Sequence, residues 1–317
     1  MQKNTLLSLL VASGLMVSFT GCNDTKGDIH YCNVGDYAID DNTIGMNIKT
    51  PEGEGPFPAL LFVHGGYWSQ GDLSSYNAEI KEAAQKGYVA ATIDYRLTKE
   101  KNADGTVKYP WDAQLEDTKC AVRYLRAHAG QYGIDTTNIG IAGFSAGAHL
   151  SLMTGFTPNI ERFEQEGDWK EFSSSVNAVV SFSGPTDLTT VYDISTPKAA
   201  AQKAAKDLMG GTPSEKPAMY LDGSPIEYIT KAQTPVLFIH GKKDTIVPPS
   251  QITLMSNALD EINHAEHPTL IYEEAGHGWS GTIRKHANTQ MFSFFDKHLK
   301  AKQDTTLSCS PYPSCQQ

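Results

Sequence analysis

A serine held between two glycines stands at Gly143-Phe144-Ser145-Ala146-Gly147, directly after an apolar run and directly before a helical pattern. A chain that turns that tightly from strand to helix has no room for side chains at positions 143 and 147. It also holds the central residue in a strained conformation, with its hydroxyl lifted clear of the sheet. A serine hydroxyl is a poor nucleophile until a base takes its proton. Of the ten histidines, only His277 combines a place late in the chain with a glycine-flanked loop, Ala275-Gly276-His277-Gly278-Trp279. A third group must orient the imidazole and stabilise its charged form. Asp244, in His240-Gly241-Lys242-Lys243-Asp244, follows an apolar run and precedes His277. The rival acid is Asp187 in Ser183-Gly184-Pro185-Thr186-Asp187, which reads instead as a turn or helix cap. The chemistry expected of Ser145, Asp244 and His277 is nucleophilic acyl transfer, with attack on a carbonyl and then hydrolysis of the acyl-enzyme.

That chemistry needs donors for a developing oxyanion. Val63-His64-Gly65-Gly66-Tyr67-Trp68 follows a buried apolar run, and paired glycines let its backbone approach a substrate. The amides of Gly66, Tyr67 and Ala146 are the expected oxyanion hole, aided by the positive end of the helix after Ser145. Trp68, Trp111 and Trp279 lie beside these loops and are assigned to the substrate pocket, with core packing as the alternative. His64, His149 and His240 read as structural hydrogen-bonding groups. No metal-ligand spacing and no glycine-rich phosphate loop is present in the sequence, so no metal and no cofactor is expected.

Alternating strand and helix patterns must position these groups. Strands are expected at Ile44–Lys49, Ala59–His64, Tyr88–Ile93, Asn138–Ala142, Val176–Phe182, Pro235–His240 and Thr269–Tyr272. Helices are expected at Tyr76–Lys86, through Leu115, Thr118, Val122, Leu125 and Ala129, at Ala146–Met153 and from Thr282 to Leu299. The rhythm implies an α/β fold, a mostly parallel central sheet of about eight strands covered by helices on both faces. It breaks at residues 157–174 and 185–232. The second stretch is predicted to be a lid-like insertion that walls the pocket, within one domain spanning 36–300, with 301–317 as a C-terminal tail.

The chain has 317 residues, 40% apolar and 20% charged, with a net charge of −10. This suits one large globular domain and excludes a disordered chain. No basic stripe is present, which argues against a nucleic-acid partner. Lys3, an apolar run from Leu6 to Phe19 and the small residues before Cys22 describe an export signal over residues 1–21, too short for a comfortable membrane span. Phe19-Thr20-Gly21-Cys22 resembles the bacterial lipobox, with Phe19 where leucine is usual. Cys22 is therefore expected to carry lipid, with residues 22–35 as a tether, which makes the protein an envelope lipoprotein with the membrane as a partner. Lipidation of Cys22 would leave Cys32, Cys120, Cys309 and Cys315. In an exported chain that even number suggests disulfides, with Cys309 and Cys315 closing the tail and Cys32 with Cys120 as the remaining pair; other pairings stay open.

His64-Gly65-Gly66-Tyr67-Trp68, Asp94-Tyr95-Arg96-Leu97, the Ser145 turn, the Asp244 loop and the His277 loop together resemble the hormone-sensitive-lipase-like and acetyl-xylan/feruloyl esterase branch of the α/β-hydrolases. Tyr67 departs from the commoner His-Gly-Gly-Gly form toward esterases and kynurenine formamidases whose motif ends Gly-x-Trp. The resemblance implies a serine esterase acting on small esters or esterified saccharides, with acetyl or feruloyl as the group removed. A general short-chain esterase or lipase is the near alternative. A non-catalytic carbohydrate-binding lipoprotein on the same scaffold is the alternative of another class.

Overall fold

The computed structural model describes residues 27, 29–34, 44–196, 198–229, 234–264 and 266–300, with the backbone of a last strand at 315–316. The expectations for the export segment, for Cys22 and for a Cys309–Cys315 bridge lie outside the described residues. The elements in chain order are β1 (Ile29–His30), β2 (Gly45–Lys49), β3 (Phe57–Val63), α1 (Asn77–Gln85), β4 (Val89–Ile93), α2 (Ala113–Ala127), α3 (Ala129–Tyr132), β5 (Ile134–Phe144) and α4 (Ala146–Phe156). They continue with β6 (Ala178–Phe182), α5 (Leu188–Ile194), α6 (Lys198–Met209), α7 (Pro217–Asp222), β7 (Val236–Gly241), α8 (Ser250–Glu261), β8 (Thr269–Tyr272), α9 (Gly281–Leu299) and β9 (Cys315–Gln316).

The described strands form one sheet of nine in the order β1-β2-β4-β3-β5-β6-β7-β8-β9. From β4 to β8 all neighbours run parallel, and the edge pairs β1–β2, β2–β4 and β8–β9 are antiparallel. This is the α/β-hydrolase architecture. The central strands are apolar without interruption because helices bury both of their faces. In β3 the alternation is explicit. Ala59, Leu61 and Val63 point into one core with Leu115, Leu150 and Met255, while Leu60 and Phe62 point into the other with Ile80, Met291 and Phe295. Thus α2, α4 and α8 cover one face, and α1 and α9 the other. Every residue of α4 is buried, as an apolar helix driven through the middle of a domain must be.

Residues 29–34 were expected in the tether, but they belong to the body. Tyr31 is buried and its hydroxyl donates to Asp94 O at 2.7 Å. Cys32 forms a disulfide with Cys120 of α2, 88 residues away in sequence. Between α4 and β6, the irregular residues 157–174 are tied down by charge. Glu164 accepts from Lys119 Nζ at 2.8 Å and from Arg123, and both cations lie in buried positions on α2.

Candidate active site

The three residues singled out for chemistry come from three different loops at the carboxyl ends of β5, β7 and β8. Ser145 sits between β5 and α4 at φ 55°, ψ −118°. A Cβ on Gly143 would lie 2.3 Å from the Gly147 carbonyl carbon, and one on Gly147 would lie 2.1 Å from Val63 O. Both distances are impossible, so only glycine permits this crossing. The Ser145 amide donates to Phe182 O at 2.8 Å on the neighbouring strand, which fixes the turn to the sheet.

His277 Nε2 lies 2.9 Å from Ser145 Oγ, and His277 Nδ1 lies 2.7 Å from Asp244 Oδ2. A carboxylate can only accept, so Nδ1 carries the hydrogen and Nε2 is left to accept from the serine hydroxyl. Phe144 packs against the imidazole at 4.9 Å between ring centroids. Asp244 is buried. Its Oδ1 accepts the amides of Ile246 and Val247, each at 2.9 Å. His240 Nε2 donates to Val247 O at 2.7 Å and stands 3.3 Å from Asp244 Oδ2. Burial pushes the Asp244 carboxyl up, but hydrogen bonds from His240 and His277 outweigh it and hold the group well below the usual carboxylate range. Asp187 stands apart as the N-cap of α5, its Oδ1 accepting from Thr189 N at 2.9 Å and Thr190 N at 3.2 Å.

The glycine loop after β3 runs directly against the nucleophile. A Cβ on Gly65 would fall 2.7 Å from Phe144 O and 3.2 Å from Ser145 Cβ. Gly66, Tyr67 and Trp68 all have positive φ, at 122°, 56° and 56°. The amide of Ala146 is the first of α4, one of those that a helix leaves without an internal acceptor. Tyr67, Trp68, Ser145 and Ala146 line one cavity of about 20 Å³ together with Pro185, Leu188, Val191, Ala201, Ala205, Ile246 and Val247. The far wall is therefore α5 and α6, from the stretch predicted to shape the pocket.

Of the three tryptophans assigned to that pocket, only Trp68 lines it. Trp111 is a correction: it is buried beneath α4, T-shaped against Phe163 at 6.0 Å, and its indole donates to Asp222 at 2.9 Å. Trp279 is a second correction, since it packs on the opposite core against Phe182 and Tyr272 at 5.8 and 5.5 Å. Closeness in sequence to a motif loop does not say to which side of the sheet a ring turns. The apolar lining from α5, α6, Ile246 and Val247 was not read residue by residue. Its only sequence signal was the break in rhythm at 185–232.

The BD-FAE family model of α/β-hydrolases matches residues 46–259. The chain belongs to the BD-FAE family. The BD-FAE match encloses Ser145 and Asp244, and His277 lies beyond its end. The chain is 32% identical over 228 residues to esterase LipC of Mycobacterium tuberculosis, covering 71% of this chain and 53% of that one. The chain spans about half the length of the curated relatives it matches first. Among solved structures it is similar to a bifunctional GH43-CE protein of Bacteroides eggerthii (TM-score 0.71, 28% identity, 86% of this chain and 38% of that one). It shares its fold with a butyrate-bound esterase of Thermogutta terrifontis (TM-score 0.67, 23% identity, 86% and 97% covered).

Proposed function

We propose that this BD-FAE protein is a serine carboxylic-ester hydrolase that removes short acyl groups, acetyl foremost, from esterified saccharides. The observation that carries the reading is the unbroken relay Ser145–His277–Asp244, with contacts of 2.9 and 2.7 Å. Ser145 Oγ attacks the ester carbonyl as its proton passes to His277 Nε2. The carbonyl oxygen, now an anion, is met by the amides of Gly66, Tyr67 and Ala146. Collapse breaks the bond to the sugar oxygen, which leaves with the proton from His277. Water then gives its proton to the same nitrogen, attacks the acyl-enzyme and releases the acid and Ser145.

Two observations support this substrate reading. The cavity beside Ser145, at about 20 Å³, is small and largely apolar, which favours a short acyl group. Its lining of Leu188, Val191, Ala201, Ala205, Ile246 and Val247 suits a methyl better than a polar group. The likeness to the GH43-CE protein supports a saccharide as the alcohol. Acetylated xylo-oligosaccharides should be cleaved with kcat/KM at least about ten-fold above feruloylated ones. Faster release of ferulate than of acetate would overturn the acyl assignment. If a fluorophosphonate probe failed to label Ser145 in the folded protein, the binding-module reading would replace the hydrolase.

We further propose that the enzyme is exported and anchored through lipid on Cys22. The Cys32–Cys120 disulfide supports an oxidising compartment. Growth of expressing cells with an alkyne fatty acid should label the wild type and leave Cys22→Ser unlabelled. Equal labelling of both would remove the anchor.

A further inference from the structure

His149 lies four residues after Ser145 on α4 and has no exposure to solvent. The proposed chemistry gives it no proton to move, yet both of its nitrogens are engaged. Nε2 lies 2.6 Å from Gly223 O, and Nδ1 lies 3.2 Å from the indole Nε1 of Trp68. A carbonyl only accepts and an indole N–H only donates, so the tautomer is fixed: Nε2 carries the hydrogen and Nδ1 accepts. Burial lowers the imidazole to about 4, which keeps the ring neutral at ordinary pH and preserves that acceptor.

One partner, Trp68, lines the cavity, and the other, Gly223, packs behind its far wall. Trp68 closes the run of positive φ that carries the expected oxyanion donors. A bulky residue stays in that region only where its surroundings fix it. Hydrogen bonds do so: the Thr98 amide and hydroxyl donate to Trp68 O at 2.9 and 3.3 Å, and His149 accepts from the indole. Gly223 follows α7 and packs behind the α5–α6 wall. A Cβ there would lie 2.4 Å from Met209 Cε and 3.2 Å from Leu188 Cδ1, so its carbonyl is set by the packing of α5 and α6. Leu188 and Trp68 both line the cavity.

We propose that His149 is a positioning residue that holds the oxyanion loop in its strained form through the Trp68 indole and couples that loop, through Gly223, to the segment packed behind the α5–α6 wall. This rests on the hydrolase reading. Oxyanion donors act on charge that exists only in the transition state, so their displacement lowers kcat and spares KM.

The test uses a soluble short-chain aryl ester and the full chain. Wild-type turnover and fluorophosphonate labelling come first, and their absence would sink the hydrolase reading itself. His149→Phe keeps a planar ring and removes both hydrogen bonds, while Trp68→Phe removes only the indole donor. Each should lose about 10- to 100-fold in kcat, and His149→Phe, which does not line the cavity, should keep KM within about twofold. The double variant should lose little more than either alone, because both break one contact. His149→Gln, which offers one donor and one acceptor on a planar amide, should recover a substantial part of kcat. An active wild type overturns the proposal if His149→Phe or Trp68→Phe keeps kcat within twofold, or if the His149→Phe loss appears in KM. Additive losses or no rescue by glutamine would overturn it as well. If His149→Phe does not fold, Trp68→Phe and His149→Gln still decide.

Discussion

Ser145→Ala and His277→Ala should each lower kcat on the order of 10⁶-fold, and the double variant should fall no further. The reason is that the two groups perform one act. The hydroxyl 2.9 Å from the imidazole is a nucleophile only while that nitrogen can take its proton, and the nitrogen has no other proton to take from the enzyme. Either loss leaves what the oxyanion donors and binding supply, on the order of 10³- to 10⁴-fold over water. Folding should survive in both. Alanine at 145 loses one oxygen and keeps the same strained backbone, and the half-buried His277 lies on a loop. Burst titration with an activated ester and thermal melting would check both halves of the statement. Additive losses, or a Ser145→Ala variant that still accumulates acyl-enzyme, would contradict it.

Asp244→Asn should cost about 10⁴-fold in kcat, although it replaces one oxygen by a nitrogen of nearly equal size. The surroundings dictate which way the new amide turns. The Oδ1 position accepts from the amides of Ile246 and Val247, so the carbonyl oxygen of asparagine must stay there. The NH₂ group then faces His277 Nδ1 and donates to it. That forces the imidazole hydrogen onto Nε2, the nitrogen that must accept from Ser145. The same NH₂ also meets the His240 Nε2–H, which now faces a donor in place of an acceptor. Asp187→Asn should keep turnover within a few-fold, because Asp187 only caps α5 and asparagine caps as well.

Stability should respond to acid in a defined sense. The folded Asp244 carboxyl titrates below its unfolded value, because hydrogen bonds from His240 and His277 outweigh burial. Its contribution is therefore full above the ordinary carboxylate range and is lost as pH falls from that range through the lower folded value. The Tm of Asp244→Asn should drop less than that of the wild type between neutral and acid pH. A parallel drop would show that the carboxylate carries no linked stability.

The order Ser145, Asp244, His277 was readable because the fold places successive loops at one end of a parallel sheet, and glycine spacing marks where the chain turns back. The parallel strands were readable because burial on both faces writes them as short apolar runs. Their ends were less so: β5 extends back to Ile134 through Asp135, Thr136 and Thr137, residues whose types signal a turn. The two-residue edge strands β1 and β9 carry no periodicity at all. What no local pattern encodes is direction. Trp111 and Trp279 stand beside motif loops, yet packing turns both rings away from the cavity. His149 reads as one more residue on an apolar helix until Trp68 and Gly223, 81 and 74 residues away, are seen on either side of its ring.

The cross-link between Cys32 and Cys120 has a mechanical side. The first strand is held by only two residue pairs, a grip that a pull from the N-terminus would unzip. With the sulfurs joined, such a pull passes into α2 and the middle of the body. If lipid sits on Cys22, the ten residues to that bond span no more than about 36 Å. The body would then ride close above the bilayer on a short leash, within reach of what is drawn up to the surface and out of reach of what lies far from it.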